Sequence, residues 1–246
     1  MSIERVPRVT TMVAENLKSL NGNPIGIDID GVTQATYFLA LNHAAHNLKM
    51  IKPPLVKNLI GYWELINIVQ ANGMSDRDQA TKYAKALWNN DNVYLRSPAM
   101  LGITTLLKIF NEVHLPYIFI SSRPVEFLSV TQEWFAQTLP WVKSEDVILG
   151  RPEEVSGGYF KAAMITKHRV LLHIEDGLEE AQEIVEKTPA GVIIVPQPWN
   201  IGQRINHPRI KQFRPQEYEV TKGIWPVIKF LASSDARTFL QSVAQY

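Results

Sequence analysis

The sequence contains no cysteine. That absence removes disulfides, zinc–thiolate sites, iron–sulfur clusters and thiol nucleophiles at once. An excess of charge of either sign is missing too: 25 Lys and Arg stand against 24 Asp and Glu, for a formal net charge of +1. A dedicated nucleic-acid binder ordinarily shows a basic excess, so long nucleic acids are not expected as partners. No run approaches the ~18 apolar residues that a membrane span needs. The start, Met1-Ser2-Ile3-Glu4-Arg5, lacks the apolar stretch of a secretory signal. The expectation is a soluble, cytoplasmic protein without membrane contact. Repeats and low-complexity stretches are absent as well. What is there is 246 residues, 46% hydrophobic and 20% charged. That is enough for one large domain, or one domain carrying an insertion.

The texture of the chain changes along its length. Residues 1–23 are polar and mixed, with one helix expected through Val13–Leu20. Pro24–Ile29 reads as a short buried strand: Ile25, Ile27 and Ile29 are β-branched, and the turn signal Asn21-Gly22-Asn23 precedes them. Residues 33–96 carry helical periodicity. Tyr37, Phe38, Leu41, Ala45 and Leu48 share one face, and Leu55, Leu59, Trp63, Ile66 and Val69 repeat the spacing. Tyr83, Ala84, Leu87 and Trp88 do so again. Breaks at Pro53-Pro54 and Asn72-Gly73 suggest about three helices and no strand.

From Ser97-Pro98, a helix-start signal, strands and helices alternate. A helix is expected to Val113, a strand at Tyr117–Ile120, a helix at Pro124–Gln137 and a strand at Val147–Leu149. Then come a helix at Gly158–Lys167, a strand at Val170–Ile174, a helix at Leu178–Lys187 and a strand at Val192–Val195. Residues 218–246 read as one or two helices. Such alternation predicts an α/β fold with a Rossmann-like parallel sheet, helices on both faces, and an all-helical insertion after the first strand. The division is a core of 1–32 and 97–246 with a helical cap of 33–96.

In open α/β sheets ligands bind beyond the carboxyl ends of the strands. Three polar clusters follow apolar strands here: Asp28-Ile29-Asp30-Gly31-Val32, Ser121-Ser122-Arg123 and Glu175-Asp176-Gly177. Asp28 and Asp30, two apart on extended backbone, point the same way. Paired carboxylates near a second acidic pair make a hard oxygen site suited to Mg²⁺. An aspartate can attack phosphorus, and a second carboxylate can serve as acid and then base. Ser121 and the amides opening the next helix can hold phosphate oxygens, and a lysine would neutralise the transferred group. Each cluster alone has an ordinary reading as a turn, a helix cap or a helix start. Their joint occurrence at three strand ends favours a site.

At these residues the chain resembles the haloacid dehalogenase-like (HAD) phosphohydrolase superfamily. Asp28-Ile29-Asp30-Gly31-Val32 matches its first signature, Ile118–Ser121 its second and Leu171–Asp176 its fourth, with a lysine before the last strand as the third. The resemblance spans roughly 24–200. It implies Asp28 as nucleophile and Asp30 as acid/base, with the Asp30 main-chain carbonyl on Mg²⁺. It implies Ser121 on the phosphoryl group, and Glu175 and Asp176 completing the metal site, Asp176 being favoured for direct ligation. The lysine is Lys161 or Lys167. Lys161 lies 14 residues before Glu175 and fits the family spacing better. Pro196-Gln197-Pro198-Trp199-Asn200 is similar to the corresponding loop of the 5′(3′)-deoxyribonucleotidase branch, although Glu-Asp stands where that branch usually has Asp-Asp. The implied activity is a Mg²⁺-dependent phosphomonoesterase acting on a nucleoside monophosphate. Another small ester such as a sugar phosphate is the alternative, as is a phosphate-binding module without turnover.

Further residues carry two readings each. Ser122, Arg123, Tyr37 and Phe38 are expected to bind substrate, Arg123 through phosphate or else in a salt bridge. Tyr37 and Phe38, with Tyr62 and Trp63, could stack on a base or pack in a core. Trp199 could plug the cleft wall. His43 and His46, three apart, could share a metal, but lack an evident third ligand.

Overall fold

The computed structural model describes residues 5–50, 64–214 and 223–245. Six strands form one parallel sheet in the order β3-β2-β1-β4-β5-β6. They are β1 (Ile25–Ile27), β2 (Tyr117–Ile120), β3 (Val147–Ile148), β4 (Leu172–Glu175), β5 (Gly191–Ile194) and β6 (Ile210–Lys211). β-Branched and aromatic residues dominate them, as strands buried on both faces require.

Side chains alternate between two apolar layers. Ile25, Ile27, Phe119, Leu172, Ile174 and Ile193 face one layer, and Ile118, Ile120, Val192 and Ile194 face the other. The first layer is closed by α1 (Arg5–Leu17), α6 (Ile103–Glu112), α7 (Leu128–Thr138), α10 (Trp225–Leu231) and α11 (Ser234–Val243). The second is closed by α8 (Gly157–Lys167) and α9 (Leu178–Lys187). Buried Asn16 on α1 donates to the carbonyls of Leu231 and Ser233, each at 2.8 Å. The first and last segments of the core are thereby tied together.

Between β1 and α6 the regular elements described are helices: α2 (Thr36–Asn47), α3 (Glu64–Ala71), α4 (Arg77–Trp88) and α5 (Asp91–Arg96). Tyr37, Leu41, Leu65, Val69, Leu87 and Trp88 build a separate apolar cluster there. Pro53-Pro54, Leu55, Leu59, Tyr62 and Trp63 lie outside the described residues. The expected helical texture of the segment is present, with four helices described rather than about three.

Several boundaries differ from the sequence reading. Ser97-Pro98 does not open a helix. The Ser97 hydroxyl donates to the Val93 carbonyl at the end of α5, and the Pro98 carbonyl accepts from Ala35 N at 2.9 Å. The helix begins only at Ile103, after Gly102 at φ +88°, a conformation glycine adopts without strain. β4 begins two residues later and ends one residue later than expected, so Glu175 is its last residue. The short edge strand β6 had no sequence signal.

Candidate active site

The register of the sheet assembles the site. Ile27 lies opposite Phe119 on one side and Ile174 on the other. The next residue, Asp28, therefore stands abreast of the ends of β2 and β4, and its N–H donates to the Ile174 carbonyl at 2.9 Å. β1 lies between strands reached by crossovers in opposite directions, which is the position where ligands of such sheets bind. Ser121 leaves the end of β2, its amide bonded to the Ile148 carbonyl. Lys161 comes from the first turns of α8, whose start is capped by Ser156 Oγ accepting from Tyr159 N.

Four charged groups meet in the interior. Lys161 Nζ lies 2.6 Å from Glu175 Oε2 and 3.1 Å from Asp28 Oδ1, with all three side chains at most 5% exposed. Asp28, Glu175 and Asp176 bring one carboxylate oxygen each within 4.8 Å of one another. One ammonium thus faces three carboxylates. Burial, then the negative charge of Glu175, raises the Asp28 carboxyl well above 3.8. Burial with Glu175 and Asp28 does the same to Asp176. Glu175 goes the other way: burial would raise it, but Lys161 and His173 hold it ionised. The uncompensated charge and hard oxygen donors fit a divalent cation such as Mg²⁺.

The two members of the acidic pair differ in what is left to them. A carboxylate offers about four acceptor positions, and Glu175 has four donors: Asp176 N and Gly177 N at 3.0 Å on Oε1, Lys161 and His173 Nε2 at 2.6 and 3.3 Å on Oε2. Among the described residues Asp176 has one donor on its carboxylate, Trp199 Nε1, at 3.1 Å from Oδ2. Its carboxylate rests against Gly31, where a Cβ would fall 2.2 Å from Oδ2 and where φ is +74°. Only glycine suits that position.

Asp30 lies outside this group. Arg123 grips it with both arms, Nε to Oδ2 at 2.9 Å and Nη2 to Oδ1 at 2.8 Å. The same guanidinium bonds Gln34 Oε1 and Thr131 Oγ1 and lies 3.9 Å from the centre of the Tyr94 ring. Burial works to raise the Asp30 carboxyl, but Arg123 outweighs it and holds the group below 3.8. Asp30 lines a cavity of about 730 Å³ with Lys85, Trp88, Asn89, Tyr94 and Ser122. A second cavity, about 580 Å³, lies beyond Ser122 against Gly177, Glu180 and Trp199.

The structure therefore brings Asp28, Ser121, Lys161, Glu175 and Asp176 to one sheet edge, with Asp30 and Ser122 at its mouth. Lys167 is exposed on the far end of α8, and Lys161 is the one of the two that the structure brings to these carboxylates. Two expectations are corrected. Arg123 borders the Asp30 cavity but is 3% exposed, and four of its hydrogen bonds go to protein, so in the structure it makes the salt bridge with Asp30 rather than presenting an open phosphate contact. Tyr37 is not an open platform, because Trp199 stacks on it at 4.1 Å and Trp88 meets it edge-on at 4.2 Å. Phe38 is half exposed on α2. His43 and His46 gather no third ligand among the described residues. The Gln197–Asn200 loop buttresses the site. Gln197 donates to the Gly31 carbonyl at 2.6 Å and Asn200 to the Asp176 carbonyl at 2.8 Å.

Sequence reasoning missed Gln34, Tyr94, Thr131, His173 and Glu180. Glu180, one turn into α9, is raised by burial and by Glu175 while Lys161 pulls it down. A histidine inside the apolar run Leu171-Leu172-His173-Ile174 was a readable signal. The others had none.

Solved structures share this fold. A HAD hydrolase of family IA, variant 3, from Entamoeba histolytica HM-1:IMSS is 11% identical, with a TM-score of 0.51 over 84% of this chain and 99% of that one. A HAD family hydrolase from Deinococcus radiodurans R1, solved with bound phosphate and sodium, is 13% identical, with a TM-score of 0.51 over 73% of this chain and 85% of that one. No protein-family model and no curated protein matches the sequence. The chain thus has the Rossmann-like fold of the HAD hydrolases. The likeness reaches that fold and does not extend to the nucleotidase branch.

Proposed function

We propose that the chain is a phosphomonoesterase of small phosphate esters, working through an aspartyl-phosphate on Asp28. The observation that carries this is Lys161 bridging Asp28 and Glu175 beside Asp176, with Asp30 two residues on and facing a cavity. The phosphate bound in the Deinococcus hydrolase of the same fold supports it. A Mg²⁺ held by Asp28 and Asp176, with the Asp30 main-chain carbonyl, would offset phosphate charge and orient it.

Asp28 attacks phosphorus, and the bond to the leaving oxygen breaks as that oxygen takes a proton from Asp30. Water then attacks the acyl-phosphate and gives its proton to Asp30, so inorganic phosphate leaves and both aspartates return to their starting state. Arg123 holds Asp30 ionised at rest, the state the second half requires; for the first half Asp30 takes up the proton of the phosphate monoanion as the ester binds, and it returns a proton to inorganic phosphate as that product leaves. Lys161 and Ser121 hold phosphoryl oxygens, and catalysis is chiefly positioning and charge stabilisation. The alcohol portion of the ester lies beside Asp30, in the cavity rimmed by Lys85, Trp88 and Asn89 of residues 33–96, which serve as a cap. Trp88 and Tyr94 line this cavity but are themselves buried, Trp88 against Tyr37 and Tyr94 against Arg123, so the rings favour neither a nucleoside nor a sugar. Retention of both Asp28 and Asp30 favours turnover over binding alone.

The test is phosphate release from nucleoside monophosphates and sugar phosphates, with Mg²⁺ and with chelator, for wild type and Asp28→Asn. Release that requires both Asp28 and Mg²⁺ is expected. Full turnover by Asp28→Asn would refute the mechanism.

A further inference from the structure

We infer that His173 is a positioning residue for Lys161, acting through Glu175. This rests on the phosphatase reading above. His173 sits in the middle of β4 and is fully buried. It projects to the α8–α9 side of the sheet, opposite its neighbours Leu172 and Ile174. Its Nε2 lies 3.3 Å from Glu175 Oε2, the oxygen that receives Lys161 at 2.6 Å. Its Nδ1 has no hydrogen-bond partner among the described residues. A buried polar atom left without a partner costs stability, so packing alone gives no reason for histidine here.

The neighbouring strand is shaped to admit the ring. Gly26 is paired with His173 across β1 and β4, and a Cβ at position 26 would fall 2.4 Å from Nδ1. Any larger residue there would push the imidazole off Glu175. What the ring does is visible in the donor set of Glu175. Two backbone amides fix Oε1, and His173 and Lys161 share Oε2. With His173 donating, Glu175 cannot swing about its terminal bond, and the ammonium is held between it and Asp28. An ammonium has three donors. Two reach Glu175 and Asp28, which leaves the third for a phosphoryl oxygen.

The chain His173–Glu175–Lys161–Asp28 thus runs from the sheet interior to the nucleophile. Partners that orient a ligand from behind are commonly worth about 10–100-fold in activity, and a similar loss is expected when this one is removed.

The experiment compares His173→Leu, His173→Gln and His173→Asn on p-nitrophenyl phosphate with thermal melting of each. His173→Leu should melt at the wild-type temperature or above, because no orphan Nδ1 remains, while kcat falls about 10–100-fold and KM changes little. The glutamine amide reaches the place of Nε2 and the asparagine amide that of Nδ1. His173→Gln should therefore restore most of kcat and His173→Asn should not. Retention of kcat by His173→Leu, or equal loss in Gln and Asn variants, overturns the inference. If His173→Leu does not fold, the Gln and Asn pair still decides. A readout independent of turnover is ¹⁵N-histidine NMR, where His173 should carry its proton on Nε2. A proton on Nδ1 with Nε2 bare overturns the inference even if the wild type hydrolyses phosphate esters. Absence of hydrolysis together with the Nε2–H form overturns the phosphatase reading and leaves the hydrogen-bond arrangement standing.

Discussion

Asp28 and Asp30 are two residues apart and electrostatically opposite. Asp28 lies in a pocket where three carboxylates face one ammonium, and its carboxyl is raised by burial and Glu175. Asp30 lies in a pocket where one carboxylate faces one guanidinium with both oxygens matched, and its carboxyl is lowered. The first pocket is short of positive charge and the second is balanced. A single sheet edge thus offers one carboxylate that favours a cation and another locked to a resident one. Identity of residue type says nothing about this. The neighbours supplied by β4, α8 and the segment after β2 decide it.

The largest effect should come from removing the one cation of the first pocket. Lys161→Met leaves Asp28, Glu175 and Asp176 together without a compensating charge. Breaking a buried pair in this way costs about 3–5 kcal/mol. Urea denaturation should show the loss, and turnover should fall at least ~100-fold. Added Mg²⁺ should recover part of the stability, since it supplies charge at the same place. Arg123→Met is the contrasting case. It leaves Asp30 alone at a cavity wall with 23% of its side chain exposed, so the cost should be smaller, about 2–3 kcal/mol. Added Mg²⁺ should recover none of it. Equal Mg²⁺ rescue of both variants would erase the distinction between the pockets.

A second prediction separates them by pH. Asp28 and Asp176 have raised carboxyls in the folded state, so the stability they contribute without metal is fully present below 3.8 and is lost as pH rises through their folded values. Asp30 is lowered, so its contribution is present above 3.8 and is lost as pH falls through its folded value. Mg²⁺ should therefore raise the melting temperature at neutral pH and lose its effect as pH falls toward 4. At about a hundredfold excess over its dissociation constant it adds about 2.7 kcal/mol, or roughly 5–10 °C for a chain of this size. In Arg123→Met the acid side of the metal-free profile should flatten, while the Mg²⁺ effect at neutral pH persists. A Mg²⁺ shift independent of pH would mean that the ion binds elsewhere.

The first pocket was largely legible in the sequence and the second was not. Asp28, Ser121 and the Glu175-Asp176 pair each follow a β-branched or apolar strand, and a parallel sheet brings strand ends to one edge whatever the intervening chain does. Lys161 could be narrowed by order and spacing. The partner of Asp30 could not, because the pair joins residues 93 apart and neither carries a local pattern that announces the other. Tyr37 shows the same limit. Its place on an apolar helical stripe was readable, but the ring that covers it belongs to Trp199, past the last central strand. Ser97-Pro98 failed for a local reason: the hydroxyl that caps a helix start can equally close a helix end through the carbonyl four residues back.

The smallest effect concerns the late loop where it closes over the first pocket. Trp199 does two things: its ring stacks on Tyr37, and its Nε1 donates to Asp176 Oδ2. Trp199→Phe keeps a stacking ring and removes the donor. Asp176, already raised by burial and by Glu175 and Asp28, then loses a group that favours its ionised form. A hydrogen bond to a charged group contributes about 1.5–3 kcal/mol, but removal also opens room for water beside the carboxylate. The net stability loss should therefore fall below that range, at about 1 kcal/mol. Mg²⁺ affinity by titration calorimetry should weaken several-fold in Trp199→Phe, and Trp199→Leu, which loses the stack as well, should lose more stability at similar affinity. Unchanged affinity in both variants would show that Asp176 is oriented by its backbone and Gly31 alone, with the loop serving only to close the apolar cluster of residues 33–96.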